Sequence, residues 1–169
     1  HAMRRRRCLI PADGYYEWQT VGRRKRPYFI HRSDRHLFGL AALAEHWMGP
    51  NGEEMETVAI VTAAASADLA ALHHRVPVAL MPDDFARWLD CTEDDAAPVM
   101  ALLKGPQVGE FTWHEVSTRV NHADNDDPQL LLPITDAQRA AEDAPKPARK
   151  AAPRKVAPPP ADDGQGSLF

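Results

Sequence analysis

Arg7-Cys8-Leu9-Ile10-Pro11-Ala12-Asp13-Gly14-Tyr15-Tyr16-Glu17-Trp18 is the stretch on which the reading of this chain turns. Cys8, Leu9 and Ile10 are apolar and suit a pleated, buried strand. Pro11 ends that run, and Asp13-Gly14 is a turn signal. Tyr15, Tyr16 and Trp18 then place three rings around one carboxylate, Glu17. A carboxylate among rings loses water, which disfavours its charged form and suits it to giving and taking a proton near neutral pH. The plainer reading is a hairpin strand with Glu17 on its surface, and this stretch alone leaves both open.

Working outward, residues 17–19 and 27–31 read as paired strands joined by a polar turn over 20–26. Residues 37–43 form a further apolar strand, followed by Glu45, His46 and Trp47, with Trp47 expected in the core. Residues 57–62 are β-branched and predict a buried strand. Residues 66–72 predict a short helix capped by Ser66, whose end delivers His73-His74-Arg75. Pro82 opens a second helix with Phe85, Trp88 and Leu89 on one face and Asp83 and Asp84 in its first turn. Residues 96–103 predict a third helix, stopped by Gly105-Pro106, and residues 111–116 a strand. Strands and short helices mix without a βαβ repeat or a Gly-rich phosphate loop, so the fold class is α+β.

The 169 residues fit one domain. Residues 137–163 are mostly Ala, Pro, Lys, Arg, Asp and Glu without apolar periodicity, a composition that cannot offset the entropy of ordering. The expected division is therefore a folded unit over 1–135 and a disordered tail over 136–169. Two widely spaced cysteines give neither a disulfide framework nor a Cys-x-x-Cys metal signature, and the default is a reduced, cytoplasmic protein. No apolar run approaches the roughly 20 residues that span a bilayer, and no signal-peptide pattern is present. The net charge of −4 hides a split: residues 1–36 carry ten Lys or Arg against three Asp or Glu. Such a basic cluster beside an aromatic motif is the footprint of a nucleic-acid site. Arg4, Arg5, Arg6 and Arg7 are read as contacting phosphate or lying near it, and Arg23 to Arg26 as a solvated hairpin turn. The His73-His74 pair is not read as a metal site, since adjacent side chains point different ways and no acidic or cysteine ligand sits at helical spacing. No cofactor is expected.

The opening stretch resembles the signature of the SRAP family, the SOS-response-associated peptidases that process abasic sites in DNA. Two later stretches extend the likeness: Thr62-Ala63-Ala64-Ala65 followed by Leu72-His73-His74-Arg75-Val76-Pro77-Val78, and Val116-Ser117-Thr118-Arg119-Val120-Asn121 with Pro133 closing the domain. Together they cover about residues 4 to 134. Family members begin Met-Cys-Gly-Arg and carry a later Asn-Ala-Arg, neither of which occurs here. The resemblance implies that this chain corresponds to the later two-thirds of the domain, without the nucleophile, and that it is inactive alone.

The resemblance further implies a β-barrel-like mixed sheet with short flanking helices. It implies an autopeptidase that forms a covalent thiazolidine crosslink with abasic single-stranded DNA through an N-terminal cysteine. In that chemistry Glu17 would be the acid–base in imine formation and methionine removal, and His73 would move protons at the ring-opened sugar. Trp18, Thr62 and Arg75 align with DNA-contacting positions. A thiol protease built on Cys8 and His73 is a rival that needs an exposed Cys8. The alternative reading is a non-catalytic module for single-stranded DNA or for the sliding clamp. The end of the chain, Gln165-Gly166-Ser167-Leu168-Phe169, resembles the clamp-binding peptide of bacteria, with Gln165, Leu168 and Phe169 as its contacts. A monomer associated with the nucleoid is expected.

Overall fold

The computed structural model describes residues 1–92 and 95–144. In chain order the elements are α1 (Ala2–Arg5), β1 (Arg7–Ala12), β2 (Gly14–Val21), β3 (Arg24–Arg32), β4 (Phe38–Met48), β5 (Glu54–Ile60), β6 (Thr62–Ala64), β7 (Arg75–Pro77), β8 (Ala79–Leu80), α2 (Pro82–Leu89), α3 (Ala97–Met100), β9 (Phe111–Glu115) and α4 (Asp136–Asp143). Short 3-10 turns occupy Leu69–Ala71, Thr118–Asn121 and Pro128–Leu131.

The strands form antiparallel sheets. One has the order β1-β4-β5 with β8 also on β4, a second the order β2-β3-β9, and a third pairs β6 with β7. The α+β class is as the sequence predicts, and no closed barrel forms among the described residues. β1 shows why Cys8, Leu9 and Ile10 are apolar in succession: the strand packs on both of its faces. Leu9 pairs with Ala41 toward a core of Val78, Leu80, Trp88, Val99 and Leu102, whereas Ile10 pairs with Leu40 toward a core of Ile30, Phe38, Leu69, Leu72, Val76 and Phe111. The first sheet is thus a middle layer, with helices α2 and α3 on one side and the β2-β3-β9 sheet on the other.

Several expectations are corrected. The turn at Asp13-Gly14 is a bend that carries the chain from one sheet to another, because β1 pairs with β4 and β2 with β3. Gly14 is required there, since a Cβ would lie 2.3 Å from the Phe29 ring. The expected turn over 20–26 shrinks to Gly22 and Arg23, with Gly22 at φ 61, so Arg24 and Arg26 lie within β3. The helix over 66–72 is only the 3-10 turn Leu69–Ala71, capped by Asp68 in place of Ser66. The helix over 96–103 is confined to α3.

β5 is exposed at every position, and Trp47 of β4 is 51% exposed, because β5 is the edge of its sheet among the described residues. Residues 136–143, assigned to the tail, form α4. Thr135 and Gln138 make a reciprocal capping box, and ion pairs hold the helix in place of apolar burial, which is why periodicity did not reveal it. Gln165, Leu168 and Phe169 lie outside the described residues. No helix among the described residues is long and apolar enough to cross a membrane.

Candidate functional site

Glu17 sits in the middle of β2, opposite Tyr28 of β3. Strand alternation places Tyr15, Glu17 and Gln19 on one face and Tyr16 and Trp18 on the other. The three rings therefore do not surround Glu17. Tyr15 and the cross-strand Tyr28 share its face, while Tyr16 packs on the far face against Phe29 (ring centroids 5.5 Å) and Trp18 (6.4 Å). Burial, followed by the Glu17 charge, pushes the Tyr15 phenol well above its ordinary value. The Glu17 side chain is half-buried, and its Oε1 accepts the Trp18 backbone N–H at 2.8 Å.

The Glu17 face meets the segment that carries His73. Gln19 Nε2 donates to Ala71 O at 2.8 Å, and Tyr28 Oη donates to Gln19 Oε1 at 3.2 Å. Glu17 lies two residues before one end of this link and His73 two residues after the other. His73 follows the 3-10 turn, with its N–H donating to Leu69 O at 3.2 Å. Its Nδ1 is 2.8 Å from Arg75 O. The same Nδ1 lies 3.3 Å from the Arg75 N–H, so both contacts hold the ring beside the Arg75 backbone without fixing which nitrogen carries the proton. The His74 ring lies beside that of His73, with centroids 4.4 Å apart, closer than the expected divergence of adjacent side chains. Among the described residues no group of His, Cys, Asp or Glu gathers to hold a metal ion.

Arg75 and Thr62 are joined by the β6–β7 pairing. Arg75 Nε donates to Thr62 Oγ1 at 2.9 Å and Nη2 to Thr62 O at 2.6 Å. On the other face of β2, Trp18 Nε1 donates to Asn121 Oδ1 at 2.8 Å. Asn121 and Gln19 carry no role in the sequence reading. The Asn121 signal was present in the quoted Val116–Asn121 stretch, whereas nothing in the sequence marks Gln19.

The four arginines separate. Arg4 is exposed in α1. Arg5 Nη1 donates to Cys91 O at 3.0 Å, and Arg6 Nη2 pairs with Glu45 Oε2 at 2.5 Å. Arg7 is 7% exposed, and its guanidinium donates inward to Trp88 O (2.6 Å), Met3 O (2.6 Å) and Asp90 O. Arg7 therefore belongs to the frame of the fold and not to a phosphate-facing surface. Cys8 is half-buried in β1, and burial pushes its thiol up, away from the thiolate that a thiol protease needs.

An antiparallel α+β domain that sets a carboxylate and an imidazole on neighbouring segments, with a tethered tryptophan behind them, defines the class of protein at hand. Residues 1–123 match the family model described as SOS response associated peptidase (SRAP), and the chain belongs to that family. The chain is 35% identical over 149 residues to the abasic site processing protein HMCES of Gallus gallus, covering 76% of this chain and 44% of that protein. It is 33% identical over 130 residues to the abasic site processing protein YedK of Escherichia coli (strain K12), covering 76% and 58%. A crystal structure of a Bacteroides thetaiotaomicron protein superposes with a TM-score of 0.71 at 26% identity, over 79% of this chain and 59% of that one. The chain spans about half the length of the curated relatives it matches.

Proposed function

We propose that this chain supplies the acid–base and DNA-binding part of an abasic-site-processing domain acting on single-stranded DNA. The observation that carries the proposal is the Gln19–Ala71 hydrogen bond, which draws the Glu17 strand and the His73 segment together. In a domain of this kind that begins with cysteine, the amine of that cysteine attacks the aldehyde of the ring-opened abasic sugar. Loss of water gives an imine, and addition of the cysteine thiol across the C=N bond closes a thiazolidine. Glu17 relays protons in imine formation and in self-processing, and the His73 imidazole takes and returns a proton at the sugar. Arg75, held by Thr62, and the exposed Arg4 face phosphate, while Trp18 offers a ring for base stacking. Gln165, Leu168 and Phe169 are proposed to tether the domain to a sliding clamp, which titration of a labelled peptide covering residues 161–169 into the clamp would test.

The test is a denaturing gel of abasic single-stranded DNA incubated with the 169-residue chain and with the same residues placed in a domain that begins with cysteine. The first gives no heat-stable band and the second does. In the second, Glu17→Gln and His73→Ala slow band formation by on the order of 10²–10⁴. Parent rates in both variants would remove Glu17 and His73 from the chemistry.

A further inference from the structure

The tip of the β2–β3 hairpin borders a groove of about 450 Å³ lined by Arg24, Lys25, Arg26, Asn121, Arg139 and Asp143, among others. Lys25 lies on the face of the sheet that carries Trp18, and Arg24 and Arg26 on the face of Glu17. Asn121 belongs both to this groove and to the hydrogen bond that holds Trp18. An anion already occupies it. The carboxylate of Asp143 receives Arg24 Nη1 on Oδ1, and Arg26 Nη2 at 3.1 Å on Oδ1 and 2.8 Å on Oδ2. Glu115 holds Arg26 from the sheet side at 2.7 Å. Two guanidinium groups converging on one carboxylate form a fork that fits a phosphate equally well.

Asp143 is an improbable occupant on helical grounds. It is the last residue of α4, where the helix dipole disfavours an anion, and no basic residue stands in that turn to offset it. The Asp143 side chain is 40% exposed, so solvent screens its attraction to the arginines and leaving them costs it little. α4 also lies beyond residues 1–123, the part matched by the family model.

We propose that this groove is a second contact for the backbone of single-stranded DNA, adjoining Trp18, and that Asp143 of α4 holds the place of a phosphate there. The proposal rests on the DNA-binding reading above. α4 then weakens binding by competition, and its release opens the groove.

Fluorescence anisotropy of a labelled oligothymidine across a salt series tests this. Asp143→Asn binds about two- to fivefold more tightly than the parent at low salt, and its log–log salt slope steepens by about 0.7, one further phosphate. A variant whose α4 undocks shows the same gain, since that too vacates the groove. Glu56→Gln makes the same charge change on the exposed strand β5, outside the groove lining, and leaves affinity unchanged. Arg24→Gln in the Asp143→Asn background abolishes the gain. Equal gains from Glu56→Gln and Asp143→Asn would reduce the effect to net charge and overturn the groove. If Trp18→Ala weakens binding while Asp143→Asn matches the parent, the groove falls and the DNA reading stands. Absence of binding by every variant removes both.

Discussion

Trp18 Nε1 donates to Asn121 Oδ1 at 2.8 Å across 103 residues of sequence. The bond ties the β2 tryptophan to the 3-10 turn Thr118–Asn121, whose start is capped in turn by Ser117 Oγ, the acceptor of Arg119 N–H at 3.2 Å. The indole is thereby fixed in orientation before any ligand arrives, which would lower the entropy lost in the base stacking proposed for it.

Trp18→Ala is expected to weaken single-stranded-DNA binding by about 1–3 kcal/mol, the range of one base–aromatic stack. Asn121→Ala keeps the ring and loses its tether, so its loss should be smaller. Anisotropy titrations measure both, with thermal melts confirming an intact fold. Parent affinity in Trp18→Ala would remove the ring from the interface.

Arg7 should be a stability residue that lysine cannot replace. Its guanidinium reaches Trp88 O and Asp90 O at the end of α2 and Met3 O in α1. An ammonium is a compact point charge and cannot span three carbonyls. Each buried carbonyl left unpaired costs about 1–3 kcal/mol. Arg7→Lys should therefore lower the urea midpoint by the equivalent of about 2–4 kcal/mol at constant m-value. Arg6→Lys, at a partly exposed ion pair, should stay within about 1 kcal/mol of the parent. Equal stabilities in the two variants would contradict the role given to Arg7.

The docking of α4 should depend on pH in the acid range only. Hydrogen bonding from Arg26 holds the Asp143 carboxyl below its ordinary value, with Arg24 adding to the effect. A depressed carboxyl stabilises the folded arrangement above the unfolded value near 3.9 and loses that contribution as pH falls through the lower folded value. Amide exchange in α4 should be unchanged between about pH 7 and 5 after correction for intrinsic rates, and should rise below about pH 4. Release of α4 between pH 7 and 6 would point to a histidine instead.

The tryptophans at 47 and 88 should behave as opposites. Trp88 is fully buried and donates Nε1 to Cys8 O at 2.8 Å, whereas Trp47 is 51% exposed. Trp88→Ala is expected to cost about 3–5 kcal/mol, and Trp47→Gln to stay within about 0.5 kcal/mol. Urea unfolding separates them, and acrylamide should quench the Trp47 emission first. A large loss from Trp47→Gln would place that ring in a core.

The sequence made β1 legible because Cys8, Leu9 and Ile10 are apolar on both faces, and made the β2–β3 pairing legible because turn residues separate two aromatic-rich runs. α2 was legible from Phe85 and Trp88 at helical spacing. Glu17 and Trp18 were found as types but not as an arrangement, since adjacency in a strand means opposite faces and the sequence does not announce the face. Apolar composition misled at β5 and Trp47, because it reports what could be buried and not whether a neighbour covers it. α4 escaped because its hold is ionic, between Arg26 and Asp143 and between Arg139 and Glu115, pairs that no periodicity marks. Gln19 reaches a backbone carbonyl on a distant segment, and only the fold brings that carbonyl near.

The β4–β5 hairpin carries Trp47 and Met55 on one face and Met48, Val58 and Ile60 on the other, with all five exposed. Apolar residues on both faces are the habit of a strand inside a sheet, while strands that end a sheet are commonly blunted by charge, as Glu54 and Glu56 do over part of this one. Among the described residues this edge is uncovered, and a strand that paired with it would bury apolar surface on both faces. An unfolding midpoint that climbs with protein concentration, or with an added apolar strand-forming peptide, would be the thermodynamic trace of that edge. A dilution series reads the fold alone.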